Sequence, residues 1–328
     1  MNNGDILLRV KDLKTHIRGR DGTRVVKAVD GVSFDLKRGE TLGIIGESGS
    51  GKSMTALSIM RILPSAAKVI AGEILFNGEN LLTKSDRDMR RLRGEQISMI
   101  LQDPMVSLDP LFTVGSQLAE PLRTHLGVGG AALKSRQMEL MSAVSIPSPE
   151  TRLKQYPHQM SGGMLQRIVG AIAISCDPQL LIADEPTTAL DPTVQAQFLD
   201  LLEGLRDAKH LSVIVVTHDF GVAARLCDRV MVMYAGRIVE MGPIREIFDH
   251  PRHPYTKALL ASIPDATEQG ARRLRSIEGS PPDLGSLPPG CPFAPRCVSV
   301  MERCRREYPP EFRIAAEHVA SCWQVHAS

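Results

Sequence analysis

Long apolar runs are missing from this sequence, and no stretch of about eighteen residues is apolar enough to cross a bilayer. Aromatic residues are also scarce, at 4% of the chain. The first residues, Met1–Asp5, lack the positive segment and apolar core of a secretory signal. We therefore expect the chain to stay in the cytoplasm with its thiols reduced, and to need partners for any task at a membrane.

An excess of charge of one sign is also missing. The chain has 39 Lys and Arg against 37 Asp and Glu, which gives a net charge of +2. Proteins that bind nucleic acid usually show a strong basic excess. A local basic cluster, formed by Arg87, Arg90, Arg91 and Arg93, is typical of a solvated helix face. We therefore expect no nucleic-acid partner.

The hydrophobic pattern indicates an α/β fold, because short apolar runs alternate with amphipathic helical segments. Five runs have the two-sided hydrophobicity of buried parallel strands: Thr41–Ile45, Ile97–Leu101, Leu180–Ala183, Val213–Thr217 and Val230–Tyr234. Earlier in the chain, Leu7–Ile17 and Val25–Leu36 alternate as antiparallel, half-exposed strands do. The pattern between Val114 and Cys176 is helical, which predicts a helical insertion. At 328 residues, the chain is long enough for one large domain and an appendage.

A glycine-rich segment follows the first of the five runs. It reads Gly46-Glu47-Ser48-Gly49-Ser50-Gly51-Lys52-Ser53 and fits the pattern G-x-x-x-x-G-K-[ST] between a strand and a helix. Bare glycines let backbone N–H groups and the positive end of the helix point at phosphates. We expect Lys52 to hold the β- and γ-phosphates and Ser53 to hold Mg²⁺. A plain Gly/Ser-rich turn fits less well, because all four fixed positions match. We call Gly46–Ser53 the phosphate loop.

An acidic pair stands at the end of another apolar run, in the segment "LLIADEP". Such a pair alone is usually a solvated turn. After a phosphate loop, however, it is what a nucleoside triphosphatase needs to hold Mg²⁺ and to activate water. We expect Asp184 to reach the metal through its water shell and Glu185 to orient or deprotonate the attacking water.

A second set of bare N–H groups occurs in "QMSGGMLQR", where Ser161, Gly162 and Gly163 open a helix. One nucleotide does not need two such cradles. With these motifs in this order, the chain resembles the nucleotide-binding subunits of ABC transporters along nearly its whole length. In that family the Ser-Gly-Gly signature of one subunit closes over ATP held by the phosphate loop of another.

The resemblance extends to three further positions and implies a role for each. It implies that Gln102 senses Mg²⁺ and the membrane subunits, that Asp191 bridges the two ATPase subunits, and that His218 contacts the γ-phosphate. The implied fold is an ABC-type P-loop NTPase core with an antiparallel β subdomain, a helical subdomain at about 103–175 and a Cys-rich C-terminal extension. We place the ATPase domain at 1–250 and the extension at 251–328.

The C-terminal part resembles a narrower branch. The segments "HPRHPYTKALLASIP" and "GCPFAPRCVSVMERCRREYPPEF" look like the extension of oligopeptide and dipeptide transport ATPases. Relatives in that branch carry di- and oligopeptides, nickel or glutathione. The resemblance implies an ATPase peripheral to the cytoplasmic face of the inner (plasma) membrane. Its expected partners are a second, non-identical ATPase subunit, two membrane permease subunits and an extracytoplasmic peptide-binding protein.

A competing interpretation is a soluble ABC ATPase that acts on DNA or ribosomes. Such proteins usually carry two ATPase cassettes in one chain or a long insertion between phosphate loop and signature. Here the segment between Lys52 and Ser161 has room only for a compact helical insertion. The near-neutral net charge also favours the transporter subunit.

Four of the six cysteines, Cys291, Cys297, Cys304 and Cys322, follow the spacing C-x5-C-x6-C-x17-C near the end of the chain. A reducing compartment disfavours disulfides. The spacing by itself leaves Zn²⁺ and an iron–sulfur cluster equally compatible. The resemblance decides for a [4Fe–4S] cluster, because members of this branch with such a tail are associated with one. Nearby arginines, Arg296, Arg303, Arg305 and Arg306, are expected to lower the thiol pKa values.

Overall fold

The computed structural model describes residues 5–19, 23–188, 190–263 and 277–326. The strands of these residues are β1 (Ile6–Arg18), β2 (Val25–Lys37), β3 (Thr41–Ile45), β4 (Ala67–Phe76), β5 (Glu79–Asn80), β6 (Ile97–Ile100), β7 (Leu180–Asp184), β8 (Ser212–Thr217), β9 (Arg229–Tyr234), β10 (Arg237–Pro243), β11 (Phe312–Arg313) and β12 (Val319–Ala320). The helices are α1 (Lys52–Met60), α2 (Asp86–Glu95), α3 (Pro104–Ser107), α4 (Val114–Leu126), α5 (Gly130–Ala143), α6 (Pro149–Arg152), α7 (Gly162–Ala173), α8 (Pro192–Lys209), α9 (Phe220–Leu226), α10 (Ile244–Asp249), α11 (Pro254–Ala261) and α12 (Glu302–Arg306).

These residues form two compact units that interleave along the chain. One unit contains Lys37–Glu40 and Thr83–Val216, with the start of β1. The other contains Leu8–Leu36, Thr41–Leu82 and the described residues from Thr217 onward. The phosphate loop belongs to the second unit, and the signature and the acidic pair belong to the first.

The unit with the phosphate loop holds an antiparallel sheet in the order β2-β1-β4-β5. It also holds β3, which pairs in parallel with β9, while β10 pairs antiparallel with β9. Every residue of β3 is buried, as expected for a strand covered on both faces. Helix α1 starts seven residues after β3 ends, and the phosphate loop fills that gap.

The other unit holds β6, β7 and β8 side by side in parallel. All residues of β7 and β8 are buried. Helices α4, α5 and α7 pack against one another between β6 and β7 in sequence. Their contact is apolar, with Leu118, Leu140 and Ile168 at most 1% exposed. Parallel strands present their carboxyl ends at one edge of the sheet, which places the acidic pair at that edge.

The sequence-predicted strands are confirmed to within one or two residues at each end. The predicted helical insertion is confirmed too, since 114–176 contains α4 to α7 and no strand. The prediction lacked β4 and β10, and it also lacked the two-residue strands β5, β11 and β12. β4 has exposed Lys68 and Ile70 between half-buried positions, and β10 contains Gly242 and ends at Pro243. Neither shows the apolar run or clean alternation on which sequence reasoning relies.

The C-terminal extension is anchored by β12, which pairs with β10 and β11. Its small core is formed by Ala294, Cys304 and Trp323. A buried contact of 2.8 Å joins His318 Nε2 to a carboxylate oxygen of Glu240 in β10. In the described part of the chain, no helix is both long and apolar enough to span a membrane.

Candidate nucleotide site

The phosphate loop is packed so closely that two of its glycines have no room for a side chain. A Cβ added at Gly51 would lie 2.3 Å from the carbonyl oxygen of Ala28, and φ is +104° at this residue. A Cβ at Gly46 would lie 2.3 Å from the carbonyl oxygen of Met233. The loop therefore keeps its curvature only with glycine at these positions.

Lys52 begins α1 and is 5% exposed. Its Nζ donates to the carbonyl oxygens of Gly46, at 2.8 Å, and Glu47, at 3.0 Å. The ammonium thus bridges the start of the loop to the start of the helix. Ser53 follows it in the first turn of α1, and Ser50 inside the loop is buried. Because an ammonium group has three donors, Lys52 is suited to the point-charge contact that phosphates receive from lysine.

The acidic pair lies at the carboxyl end of β7, the strand formed by the apolar run that precedes the pair in the sequence. Asp184 is the last strand residue and is 5% exposed. Glu185 adopts φ of +46°, a left-handed conformation that is uncommon for Glu and that turns the chain out of the sheet. Its N–H donates to the carbonyl oxygen of Val216 in β8 at 2.8 Å.

Two side chains converge on the Glu185 carboxylate. Gln102, just after β6, donates its Nε2 to Oε2 of Glu185 at 3.1 Å. Thr188 donates its hydroxyl to the same oxygen at 2.9 Å. The structure therefore brings Gln102 and Glu185 together. Thr188 was missed, although it stands in the quoted segment three residues after Glu185, a spacing at which a threonine can reach back.

The signature residues stand at the start of α7. The Ser161 hydroxyl caps the helix by accepting from the N–H of Met164 at 3.4 Å. Ser161 and Gly162 are exposed, so their backbone N–H groups lie at the surface. A Cβ at Gly163 would lie 2.6 Å from a methyl group of Val194, which shows how closely α7 approaches α8.

Asp191 lies directly before α8, and His218 lies close to the start of α9. Asp191 caps α8 by accepting from the N–H groups of Thr193 and Val194, at 3.1 and 3.0 Å. His218 is exposed and lies between β8 and α9, whose cap is Asp219. The contacts of Asp191 within the chain are those of a helix cap, and the role in bridging subunits remains a prediction.

The phosphate loop has partners in the C-terminal part of its unit that sequence reasoning missed. Arg296 forms an ion pair with the Glu47 carboxylate, and the Tyr255 hydroxyl accepts from the Glu47 N–H. The sequence pattern predicts Arg296 beside the cysteines, whereas its guanidinium binds Glu47. His253 caps α11, the helix that contains Tyr255. No local signal links residues this far apart in sequence.

The four cysteines of the extension line one small cavity, with Cys304 and Cys322 buried and the other two half-buried. Burial raises the pKa of the Cys291 thiol to about 11, and it also raises the pKa values of Cys297 and Cys322. The prediction that the arginines lower these pKa values was wrong. Arg296 is engaged by Glu47, and Arg303 stacks on Trp323 with its guanidinium carbon 3.6 Å from the ring centroid.

In the described residues, no three His, Cys, Asp or Glu side chains form a group that could hold a single metal ion. The four cysteines line one cavity, and the [4Fe–4S] cluster remains a proposal.

Two family models match the chain. The ABC transporter model covers residues 29–188, and the model of the oligopeptide/dipeptide transporter C-terminal region covers residues 239–304. The dipeptide transport ATP-binding protein DppD of Bacillus subtilis is 52% identical over 318 residues, which are 97% of this chain and 94% of DppD. The chain belongs to the oligopeptide/dipeptide import family of ABC transporter ATP-binding proteins. The resemblance stated from the sequence is thereby confirmed.

Other members of this family are similarly related. The oligopeptide transport ATP-binding protein OppD of Salmonella typhimurium is 48% identical, over 94% of this chain and 90% of OppD. Among solved structures, the ATP-binding cassette MJ0796, a dimer bound to ADP and Pi, has a TM-score of 0.65 at 26% identity and covers 73% of this chain and 99% of its own. The ABC cassette fold with an antiparallel β subdomain is therefore confirmed.

Proposed function

We propose that the chain is the ATP-hydrolysing subunit that powers a membrane importer for di- and oligopeptides. The observation that carries this proposal is the presence, in one chain, of a complete ABC cassette and the C-terminal region typical of oligopeptide and dipeptide transporters. The experiment that tests this proposal is the measurement of peptide uptake by cells with and without an active chain. Nickel and glutathione are alternative cargoes within the same branch, and a soluble ABC ATPase outside transport is a more distant one.

Each residue of the site has a proposed task. Lys52 neutralises the β- and γ-phosphates of ATP, and the N–H groups at the start of α1 bind their oxygens. Ser53, Gln102 and Asp184 would hold Mg²⁺, because oxygen atoms are the hard ligands this ion prefers. Bound Mg²⁺ neutralises charge on the phosphates and the leaving group. Glu185 accepts the proton of the attacking water.

The arrangement around Glu185 supports its task as the base. Donors from Gln102 and Thr188 both reach Oε2 and fix the carboxylate in one orientation. His218 contacts the γ-phosphate, and Ser161, Gly162 and Gly163 close over the ATP of a second ATPase subunit, which Asp191 bridges. ATP then makes contacts to both subunits only in the closed pair, so its binding shifts the transporter between two arrangements. We propose a non-identical homologue as that second subunit.

An exposed apolar surface adjoins Gln102 in the sequence and suits docking to the membrane subunits. We call it the apolar surface, formed by Leu101, Met105, Val106, Leu111 and Phe112. Leu111 is 79% exposed and Val106 is 76% exposed. Grouped apolar side chains of this kind mark an interaction site. We propose that the two permease subunits cover it, which places the chain at the cytoplasmic face of the inner membrane, opposite an extracytoplasmic peptide-binding protein.

Leu111→Asp is expected to abolish co-purification with the permease subunits, because it introduces a charge at the most exposed position of the apolar surface. ATP turnover of the isolated chain is expected to stay within about twofold of wild type, since the change is on the surface. Ile70→Asp is the matched control, because Ile70 is an exposed apolar residue of the antiparallel sheet. Retained co-purification of Leu111→Asp would contradict the docking proposal.

The four thiols of the extension line one small cavity and are the candidate ligands of an iron–sulfur cluster. When bound, a [4Fe–4S] cluster would be held by Cys291, Cys297, Cys304 and Cys322. We propose that it stabilises the extension, and Zn²⁺ is the alternative.

Anaerobically purified protein is expected to contain about four irons and four sulfides per chain, measured by absorption spectroscopy with iron, sulfide and zinc analysis. Cys304→Ser is expected to lose them, because it removes a buried ligand. Cys176→Ser is the matched control, since Cys176 is a buried cysteine outside the extension. One zinc and no iron would overturn the cluster proposal and leave the ATPase proposal intact.

A further inference from the structure

The phosphate loop is held by a salt bridge from the C-terminal extension. Arg296 donates from Nη1 to Oε2 of Glu47 at 2.7 Å and from Nη2 to Oε1 at 2.9 Å. The Arg296 side chain is only 5% exposed and that of Glu47 is 24% exposed. A bidentate pair of this kind fixes orientation as well as charge. Its partners are 249 residues apart in the sequence.

The guanidinium is held in place by further contacts, so it acts as a fixed support. Its Nε donates to the carbonyl oxygen of Glu278 at 3.0 Å. Nη1 also lies 3.3 Å from the Tyr234 hydroxyl, and the guanidinium carbon lies 5.9 Å from the centroids of the Tyr234 and Phe293 rings. A planar guanidinium with several fixed donors loses little further freedom when it binds a carboxylate.

A second contact reaches the backbone of the same loop residue. The hydroxyl oxygen of Tyr255 accepts from the N–H of Glu47 at 2.8 Å. Tyr255 is fully buried, and its ring lies 4.5 Å from Tyr234 and 5.3 Å from Phe293, centroid to centroid. Its own N–H donates to the His253 side chain at 3.0 Å. The hydroxyl is therefore placed by a packed aromatic cluster.

These contacts act on the residue that Lys52 also grips. The Lys52 ammonium donates to the carbonyl oxygen of Glu47. The Tyr255 hydroxyl accepts from the Glu47 N–H, and Arg296 binds the Glu47 carboxylate. A negative charge beside a phosphate site would repel ATP unless a cation compensates it. Arg296 supplies that cation, and the two contacts together fix the backbone whose N–H groups must point at the phosphates.

We propose that Arg296 and Tyr255 are positioning residues of the phosphate loop, through which the C-terminal extension sets the affinity of the chain for ATP. This inference rests on ATP binding by the phosphate loop and not on the cluster or the cargo. It gives the extension a task in the ATPase itself.

The test is an equilibrium titration of the purified full chain with a non-hydrolysable ATP analogue and Mg²⁺, paired with steady-state ATP turnover. Arg296→Gln is expected to raise Kd about tenfold, with KM rising alike and kcat changing less than about twofold. Tyr255→Phe keeps the ring and removes only the acceptor, and it is expected to raise Kd about threefold.

The double variant Glu47→Gln/Arg296→Gln separates positioning from general damage to the fold. It removes the uncompensated carboxylate and lets two amides keep a hydrogen bond, so Kd is expected to return to within about threefold of wild type. Arg306→Gln is the matched control, because Arg306 is an exposed arginine of the same extension. Unchanged Kd in Arg296→Gln, or a double variant as weak as that single one, would overturn the proposal.

Discussion

Glu185→Gln is expected to lower ATP turnover by about 10²- to 10⁴-fold while leaving ATP binding close to that of the wild type. The amide keeps the size of the side chain and its contacts with Gln102 and Thr188, but it cannot take a proton from water. ATP then stays bound with its terminal phosphate intact. Two subunits that close over ATP should consequently remain closed, and the variant should accumulate as an ATP-dependent pair.

Turnover is measured by phosphate release, and pairing by size-exclusion chromatography with ATP, using the partner subunit when the pair is of two different chains. Glu246→Gln is the control, since Glu246 is an exposed glutamate of α10. Undiminished phosphate release by Glu185→Gln would show that another group takes the proton.

Lys52→Ala is expected to weaken ATP binding by about 10²-fold or more, because a buried ammonium is lost from a site for anions. Two charge-assisted hydrogen bonds to the loop carbonyls are removed with it. At about 1.5–3 kcal/mol for each charge-assisted contact with the β- and γ-phosphates, the loss of both contacts amounts to at least two powers of ten in Kd. Turnover at ordinary ATP concentrations should fall to background.

Lys68→Ala serves as the control, since Lys68 is an exposed lysine of β4 in the same unit. The ATP-dependent pair expected of Glu185→Gln should be absent from Lys52→Ala, because that variant fails before closure. Binding of ATP by Lys52→Ala with wild-type affinity would remove the phosphate loop from the proposed site.

The motifs were predictable because each is encoded in a short stretch. Gly51 is glycine for a local reason, since its φ of +104° is strained for any residue with a Cβ. Glu185 lies beside Gln102 because both residues come after the ends of adjacent parallel strands, and the order of those strands was not predicted. The buried strands were predictable from the sequence, because burial on both faces alone produces a continuous apolar run.

The remaining features depend on tertiary contacts. The support of Glu47 by Arg296 joins segments distant in sequence, and neither residue carries a local mark of the other. The thiol pKa values are raised, not lowered as predicted. Arginines that lie close to the cysteines in sequence were expected to lie close to them in space. Burial dominates at Cys291, while Arg296 is turned toward the phosphate loop. Strand β4 was not predicted, because its exposed Ile70 breaks the alternation of apolar and polar residues.

The most direct test of the account is uptake of a radiolabelled tripeptide by cells that lack this chain. Plasmids supply the wild type, Glu185→Gln or the control Glu246→Gln, and nickel and glutathione uptake are measured alongside. We expect peptide uptake to be lost without the chain and to be restored by the wild type and the control but not by Glu185→Gln. Peptide uptake that is unaffected by loss of the chain, or restored by Glu185→Gln, would contradict the proposed function.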